Sequence, residues 1–303
     1  MTRTVAVANQ KGGVAKTTSV ISLGAALAEH GLRVLLVDLD AQSCLTFSLG
    51  VDSDEVGVSV ADVLLGEADI ATATVRLGRD AGTAVDLIPA TIDLAGVEAM
   101  LLPLDHRERV LRDALEPLRE AYDVVLLDCS PSLGLLTINA LAAADEVIVP
   151  LQCEMLSHRG VGQLLDTVAD VQRLLNDRLL VRGLLPTMFD RRTAHARAVL
   201  ADVGDRYGLP VLPPIPRSVR FAEAAGMGGS ILRTAHRSAG AQAYRDVAGV
   251  LLRQWRIGPG KRSSKRAAAR ARQNTAKPGR ATTSVAAEGP SPSTVTAATR
   301  RPS

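Results

Sequence analysis

Aromatic residues are nearly missing from this 303-residue chain, which has one Trp, three Tyr and three Phe among 47% hydrophobic residues. A core without large rings must be filled by Ala, Val and Leu. That suits helices lying close on a parallel sheet, whose strands read as unbroken apolar runs. Cysteine is equally scarce. Cys44, Cys129 and Cys153 stand far apart with no C-x-x-C pair, which argues against a disulfide framework or a cysteine metal site and for a reducing compartment. No stretch of 18 uncharged apolar residues stands apart as a membrane span, and the first residues do not read as a secretory leader. A cytoplasmic protein is expected.

Acidic residues are all but absent from the C-terminal end. From Gly258 onward ten Lys and Arg stand against Glu288 alone, so this segment carries +9 and residues 1–257 carry −6, in a chain with a net charge of +3. The same segment has no Leu, Ile, Phe or Trp. It cannot bury enough surface to offset its ordering entropy, so a disordered basic tail is expected over 258–303, after one globular domain over 1–257. Without bulky apolar residues it is also a poor membrane anchor.

What the chain does have begins at residue 5. Val5 to Ala8 reads as a short buried strand, followed at once by Asn9-Gln-Lys-Gly-Gly-Val-Ala-Lys-Thr-Thr18 and a helical pattern. Strand, glycine loop and helix N-terminus together form a phosphate cradle, in which backbone N–H groups converge on an anion. The cradle would run through Gly12, Gly13, Val14, Ala15, Lys16, Thr17 and Thr18. Lys16 would reach the β- and γ-phosphates and the Thr17 hydroxyl would hold Mg²⁺. The strict pattern G-x-x-x-x-G-K-[ST] fails at Gln10 and Ala15. Ala15 keeps the N–H that a phosphate needs, but its Cβ favours negative φ, so ATP binding with altered affinity is expected.

Apolar strands then alternate with helical patterns. Strands are expected at 33–38, 85–89, 124–128, 146–150 and 179–187, and helices at 17–30, 59–65, 93–102, 107–121, 133–143, 158–176, 194–207, 218–225 and 239–255. Such alternation predicts an α/β fold, a doubly wound and mostly parallel sheet flanked by helices. Ligands in such folds sit beyond the carboxyl ends of the strands. The phosphate loop, Asp38-Leu-Asp-Ala-Gln42 and Asp128 all fall there. Asp128 ends an apolar strand, as an acid holding Mg²⁺ must. Asp40 could accept a hydrogen bond from a water attacking the γ-phosphate, with Asp38 nearer the metal or Lys16.

Lys11-Gly-Gly-Val-Ala-Lys-Thr-Thr18 resembles the deviant phosphate loop of the ParA/MinD ATPases, usually K-G-G-x-G-K-T-T. Asp38 to Gln42 is similar to the family's D-x-D-P-Q, with Ala41 in place of the proline. Asp123 to Leu141, Ala144 to Glu154, Met188 to Thr193 and Ile215 to Arg220 resemble the chromosome-partitioning ParA (Soj) branch. The resemblance implies an ATPase in which Mg-ATP drives a sandwich homodimer that binds DNA without sequence preference. It implies that a ParB-type centromere-binding partner stimulates hydrolysis and releases the DNA. Lys11 would cross the dimer interface to the partner's phosphates, so Lys11, Lys16 and Asp40 are the catalytic candidates. Pro216 and Ser218 align with the adenine contacts, serine replacing asparagine. Thr17, Asp38 and Asp128 are the metal candidates. Arg192, Arg217 and Arg220 lie where the family carries its DNA-contacting arginines, and neutralising phosphates needs no base readers. Weak intrinsic turnover and a nucleoid-associated location follow from the same resemblance.

Other readings differ in kind. A positioning ATPase for a plasmid or other cargo differs only in its partner. A MinD-like membrane regulator needs a C-terminal amphipathic helix that 258–303 cannot supply. An iron–sulfur reductase needs paired bridging cysteines, a pattern that Cys129 and Cys153 do not fit.

Overall fold

The computed structural model describes residues 2–77, 85–154, 157–190 and 192–257. Its strands are β1 (Arg3–Val7), β2 (Val34–Leu39), β3 (Val75–Arg76), β4 (Val85–Ile88), β5 (Val124–Cys129), β6 (Glu146–Gln152) and β7 (Leu180–Thr187). They form one sheet in the order β3-β4-β2-β5-β1-β6-β7. Every neighbouring pair is parallel except β3 and β4 at one edge. All residues of β2 and β5 are buried, as unbroken apolar runs in the middle of a parallel sheet should be.

In chain order the helices are α1 (Lys16–Glu29), α2 (Cys44–Ser48), α3 (Val60–Leu64), α4 (Leu94–Leu101), α5 (Val110–Leu115), α6 (Leu135–Ala143), α7 (Ser157–Leu174), α8 (Ala194–Tyr207), α9 (Arg220–Gly226), α10 (Ile231–Thr234) and α11 (Ala239–Gln254). One face of the sheet is covered by α1, α2, α9, α10 and α11, the other by α3 to α8. This is the doubly wound α/β fold expected from the sequence. The core on the α1 side shows how it manages without aromatics. A Cβ added at Gly24 would lie 2.8 Å from Leu36 Cδ2 on β2, so glycine lets α1 rest directly on the sheet.

Three details differ from the sequence reading. The amphipathic stretch 107–121 is not one helix: 3₁₀ turns at Arg107–Arg109 and Glu116–Leu118 flank α5. Pro117 explains the second break, because it has no N–H to donate and its ring crowds the preceding turn. Strand β3, only two residues long, and α10, only four, carry too short a period to be read. The tail expected over 258–303 lies outside the described residues. Among the described residues no helix is long and apolar enough to cross a membrane.

The strand order places the chemistry. β5 runs between β1 and β2, with Asp128 level with Val7 on one side and Asp38 on the other. Two acids and the start of the phosphate loop therefore share one edge of the sheet.

Candidate nucleotide site

The loop that leaves β1 is pinned at its root. The side-chain amide of Asn9 donates to the Pro150 carbonyl at 2.6 Å, and its Oδ1 accepts the Lys11 N–H at 3.0 Å. The backbone then turns through positive φ twice, at Gly13 (+73°) and Ala15 (+64°). Gly13 adopts that conformation without a Cβ penalty. Ala15 adopts it against its preference, so the substitution keeps the loop's shape at the cost of strain. Its carbonyl is held by the N–H of Ser19 at 3.0 Å and by the Ser19 hydroxyl at 2.7 Å. With the serine proton used there, the fully buried Tyr244 hydroxyl of α11 donates to Ser19 Oγ at 2.9 Å. The last helix thus braces the first loop. Val14 turns into the core, its carbonyl accepting the Thr187 hydroxyl at 3.0 Å.

A cavity of about 630 Å³ opens in front of the loop, a size suited to a nucleotide. Gly12, Gly13, Ala15, Lys16, Thr17 and Thr18 form one wall, and Pro216, Ser218 and Phe221 line it as well. Most of the expected phosphate and adenine positions are brought together. Phe221 and Tyr244 were not foreseen, although two of the chain's seven aromatics meeting edge-on at 5.9 Å beside one cavity is a signal that scarcity itself could have raised.

The acids behind the loop are unlike one another. Asp128 is buried, and neither of its carboxylate oxygens has a hydrogen-bond partner. Burial pushes its carboxyl well above the usual range, and nearby Asp38 pushes it further; the Lys16 charge offsets only part of this. A buried acid left this way suits a cation. Asp38 is also buried, but its Oδ2 accepts the Thr46 N–H (2.9 Å) and hydroxyl (2.7 Å), and its Oδ1 accepts the Asp40 N–H (3.2 Å). Burial still raises its pKa to about 6, against the pull of those bonds. Asp40 is half-buried, lines the cavity and caps the turn through the Gln42 N–H at 3.0 Å. Lys16 reaches back to the Lys11 carbonyl at 3.4 Å; burial lowers its pKa, which Asp128 partly restores. Hard oxygen donors from Thr17 and Asp128 fit Mg²⁺.

Lys11 stands apart, outside the cavity wall, with its Nζ 2.7 Å from Glu154 Oε2 just beyond β6. Arg217 and Arg220 line a second cavity of about 530 Å³ beside the first, together with His236 and Arg237 from the α10–α11 connection. That basic pair was missed, and its only sequence signal is its place just ahead of the Ser238 helix cap. Arg192 lines neither cavity; it is exposed ahead of α8, its N–H on Asp190 Oδ1 at 2.9 Å.

A phosphate loop at the end of a central strand, with buried acids ending the next two strands, defines a P-loop nucleotide-binding protein of the α/β class. Known proteins narrow this. The family model described as AAA domain matches residues 2–181. Sporulation initiation inhibitor protein Soj of Bacillus subtilis is 45% identical over 254 residues, spanning 82% of this chain and 97% of Soj. Chromosome partitioning protein ParA of Caulobacter vibrioides is 45% identical over 249 residues, 81% of this chain and 92% of its own. A Mycobacterium smegmatis protein named cobyrinic acid a,c-diamide synthase, solved with ADP and magnesium, is 56% identical with a TM-score of 0.75. It covers 85% of this chain and 97% of its own. The chain belongs to the ParA/Soj family of P-loop ATPases.

Proposed function

We propose that this protein is a chromosome-partitioning ATPase whose Mg-ATP-bound sandwich dimer holds DNA non-specifically until a ParB-type partner triggers hydrolysis. The observation that carries the reading is Asp128, buried and unpartnered directly behind Thr17 and Lys16. Backbone N–H groups of the loop from Gly12 to Thr18 cradle the phosphates, and Lys16 draws charge from the β- and γ-phosphates. Thr17 and Asp128 hold Mg²⁺, with Asp38 as the outer acid that fixes Thr46 and the Asp40 turn. Bound Mg²⁺ neutralises charge building on the phosphate oxygens. Asp40, on the cavity wall, orients the attacking water. Pro216 and Ser218 flank the adenine. Lys11 serves the neighbouring subunit's nucleotide, which makes turnover by a lone subunit weak.

Arg217 and Arg220, with Arg192 further out, neutralise DNA phosphates. The basic segment 258–303 follows the ATPase domain of 1–257 as a second electrostatic handle and favours a nucleoid location. Cargo other than a chromosome would change only the partner. The structure of the M. smegmatis relative with an ATP analogue and magnesium supports Mg-ATP as the ligand. That relative's name raises a second reading, ATP-driven amide formation on a cobyrinic acid. Release of amide nitrogen by a cysteine nucleophile is disfavoured, because burial pushes the thiols of Cys129 and Cys153 away from the thiolate, Cys153 to about 11, and partial desolvation with the nearby Asp40 and Asp38 charges does the same to the exposed Cys44.

DNA co-sedimentation separates the readings. Wild-type protein is expected to pellet with DNA in Mg-ATP and not in Mg-ADP or without nucleotide. Lys16→Ala should not pellet at all, and Asp40→Ala should remain on DNA after wild type has let go. Equal pelleting in all three nucleotide states, or ATP turnover that responds to cobyrinic acid and ammonia but not to DNA, refutes the partitioning role.

A further inference from the structure

We propose that Glu154 is a positioning residue that parks Lys11 within its own subunit until a second subunit's phosphates displace it. The inference rests on the preceding reading, in which Lys11 acts across a dimer. Lys11 Nζ lies 2.7 Å from Glu154 Oε2, while the lysine is absent from the wall of its own subunit's cavity. Its stem is fixed. Asn9, itself buried, ties the Lys11 N–H to Oδ1 and ties its own amide to Pro150 of β6. On the other side, a Cβ added at Gly160 of α7 would meet Asn9 Oδ1 at 3.1 Å and Lys11 Cβ at 3.8 Å. Only the lysine's flexible arm can move, and Glu154 stands close beyond the end of the same strand that anchors the stem.

The pair is built to break. Its side chains are 35% and 49% exposed, so water and salt weaken it. A single carboxylate holds the ammonium against solvent, but a triphosphate presented by a second copy carries more charge and wins the exchange. A lone subunit therefore keeps Lys11 folded back, and assembly must release one such contact in each copy. An exposed pair of this kind is worth about threefold in equilibrium, hence about tenfold for a symmetric dimer that frees two.

The test is the dimer dissociation constant of the full chain, measured by analytical ultracentrifugation with Mg²⁺ and a non-hydrolysable ATP analogue. Wild type, Glu154→Gln and Lys11→Ala are compared, with a fluorescent nucleotide confirming that each binds the analogue. Glu154→Gln is expected to dimerise about tenfold more tightly than wild type near 0.1 M salt. The gap should close near 1 M, where the screening length falls to about 3 Å; a merely structural role of Glu154 would keep it open. An unchanged or weaker constant for Glu154→Gln, or a gap indifferent to salt, overturns the proposal. If wild type dimerises, Lys11→Ala does not and Glu154→Gln matches wild type, the parking role alone falls. If wild type stays monomeric with nucleotide bound, the dimer reading falls with it.

Discussion

Ala15 sits at φ +64° and ψ +38°, a conformation that costs an alanine about 1–2 kcal/mol over a glycine's freedom to enter it. Ser19 and Tyr244 hold it there through the Ala15 carbonyl. Ala15→Gly should therefore raise stability by up to about 1 kcal/mol, since glycine's greater unfolded-chain entropy takes back part of the relief. The urea midpoint of nucleotide-free protein reads this directly; a lower midpoint would mean that the loop carries no strain. Asp128 makes a different kind of prediction. Burial raises the pKa of Asp128 and Asp38 above their unfolded values, Asp38 to about 6. The folded state thus binds more protons than the unfolded one between the ordinary carboxyl range and about pH 6. Nucleotide-free protein should lose stability as pH rises through that window. Asp128→Asn should raise stability at pH 7.5 and flatten the pH profile, while removing the stabilisation that Mg-ATP brings to wild type. Thermal or urea melts at pH 5 and 7.5, with and without Mg-ATP, decide it.

Glu146 opens β6 fully buried, and both of its oxygens accept the Trp255 indole N–H at 3.0 Å. Arg182 of β7 forks onto the same carboxylate, so two strands and the end of α11 meet in one charged knot. Glu146→Gln keeps the volume but leaves Arg182 without its charge partner, a loss of about 3 kcal/mol. Trp255 is the chain's sole tryptophan, so unfolding followed by its fluorescence reports both the loss and the loosening of α11. The elements the sequence shows best are those with length and firm stops. α1 stops at Glu29, two residues ahead of Gly31, and β5 is a four-residue apolar run closed by Asp128 and Cys129. Pro117 was visible too, yet the amphipathic period around it masked the break. Asp38 and Asp128 could be read because each ends an apolar run. Thr46 could not, because its bond to Asp38 joins residues eight positions apart on two different elements. His236 and Arg237 join Arg217 and Arg220 only through the packing of α9, α10 and α11, and no spacing in the chain encodes that.

Across the molecule, charge is divided between a mildly acidic body of −6 and a C-terminal segment of +9. DNA binding that is mainly phosphate neutralisation weakens with salt at a logarithmic slope of about 0.9 per phosphate contacted. Arg217→Ala with Arg220→Ala should lower the slope by about 2, and deletion of 258–303 should lower it further, each without altering preference among DNA sequences. Salt titration of ATP-dependent DNA retention measures both; an unmoved slope removes the corresponding contact from the interface.

The strand that carries the phosphate loop is made first and finds its sheet partners late. β1 pairs with β5 from Val124 and with β6 from Glu146, on either side of it. At about 5–20 residues per second of synthesis, its apolar edge goes without both ladders for several seconds at least while the intervening chain emerges. A newborn copy thus passes through a sticky interval in which chaperones have their opening, and the brace that Tyr244 gives the phosphate loop arrives only after β5 and β6 have been made.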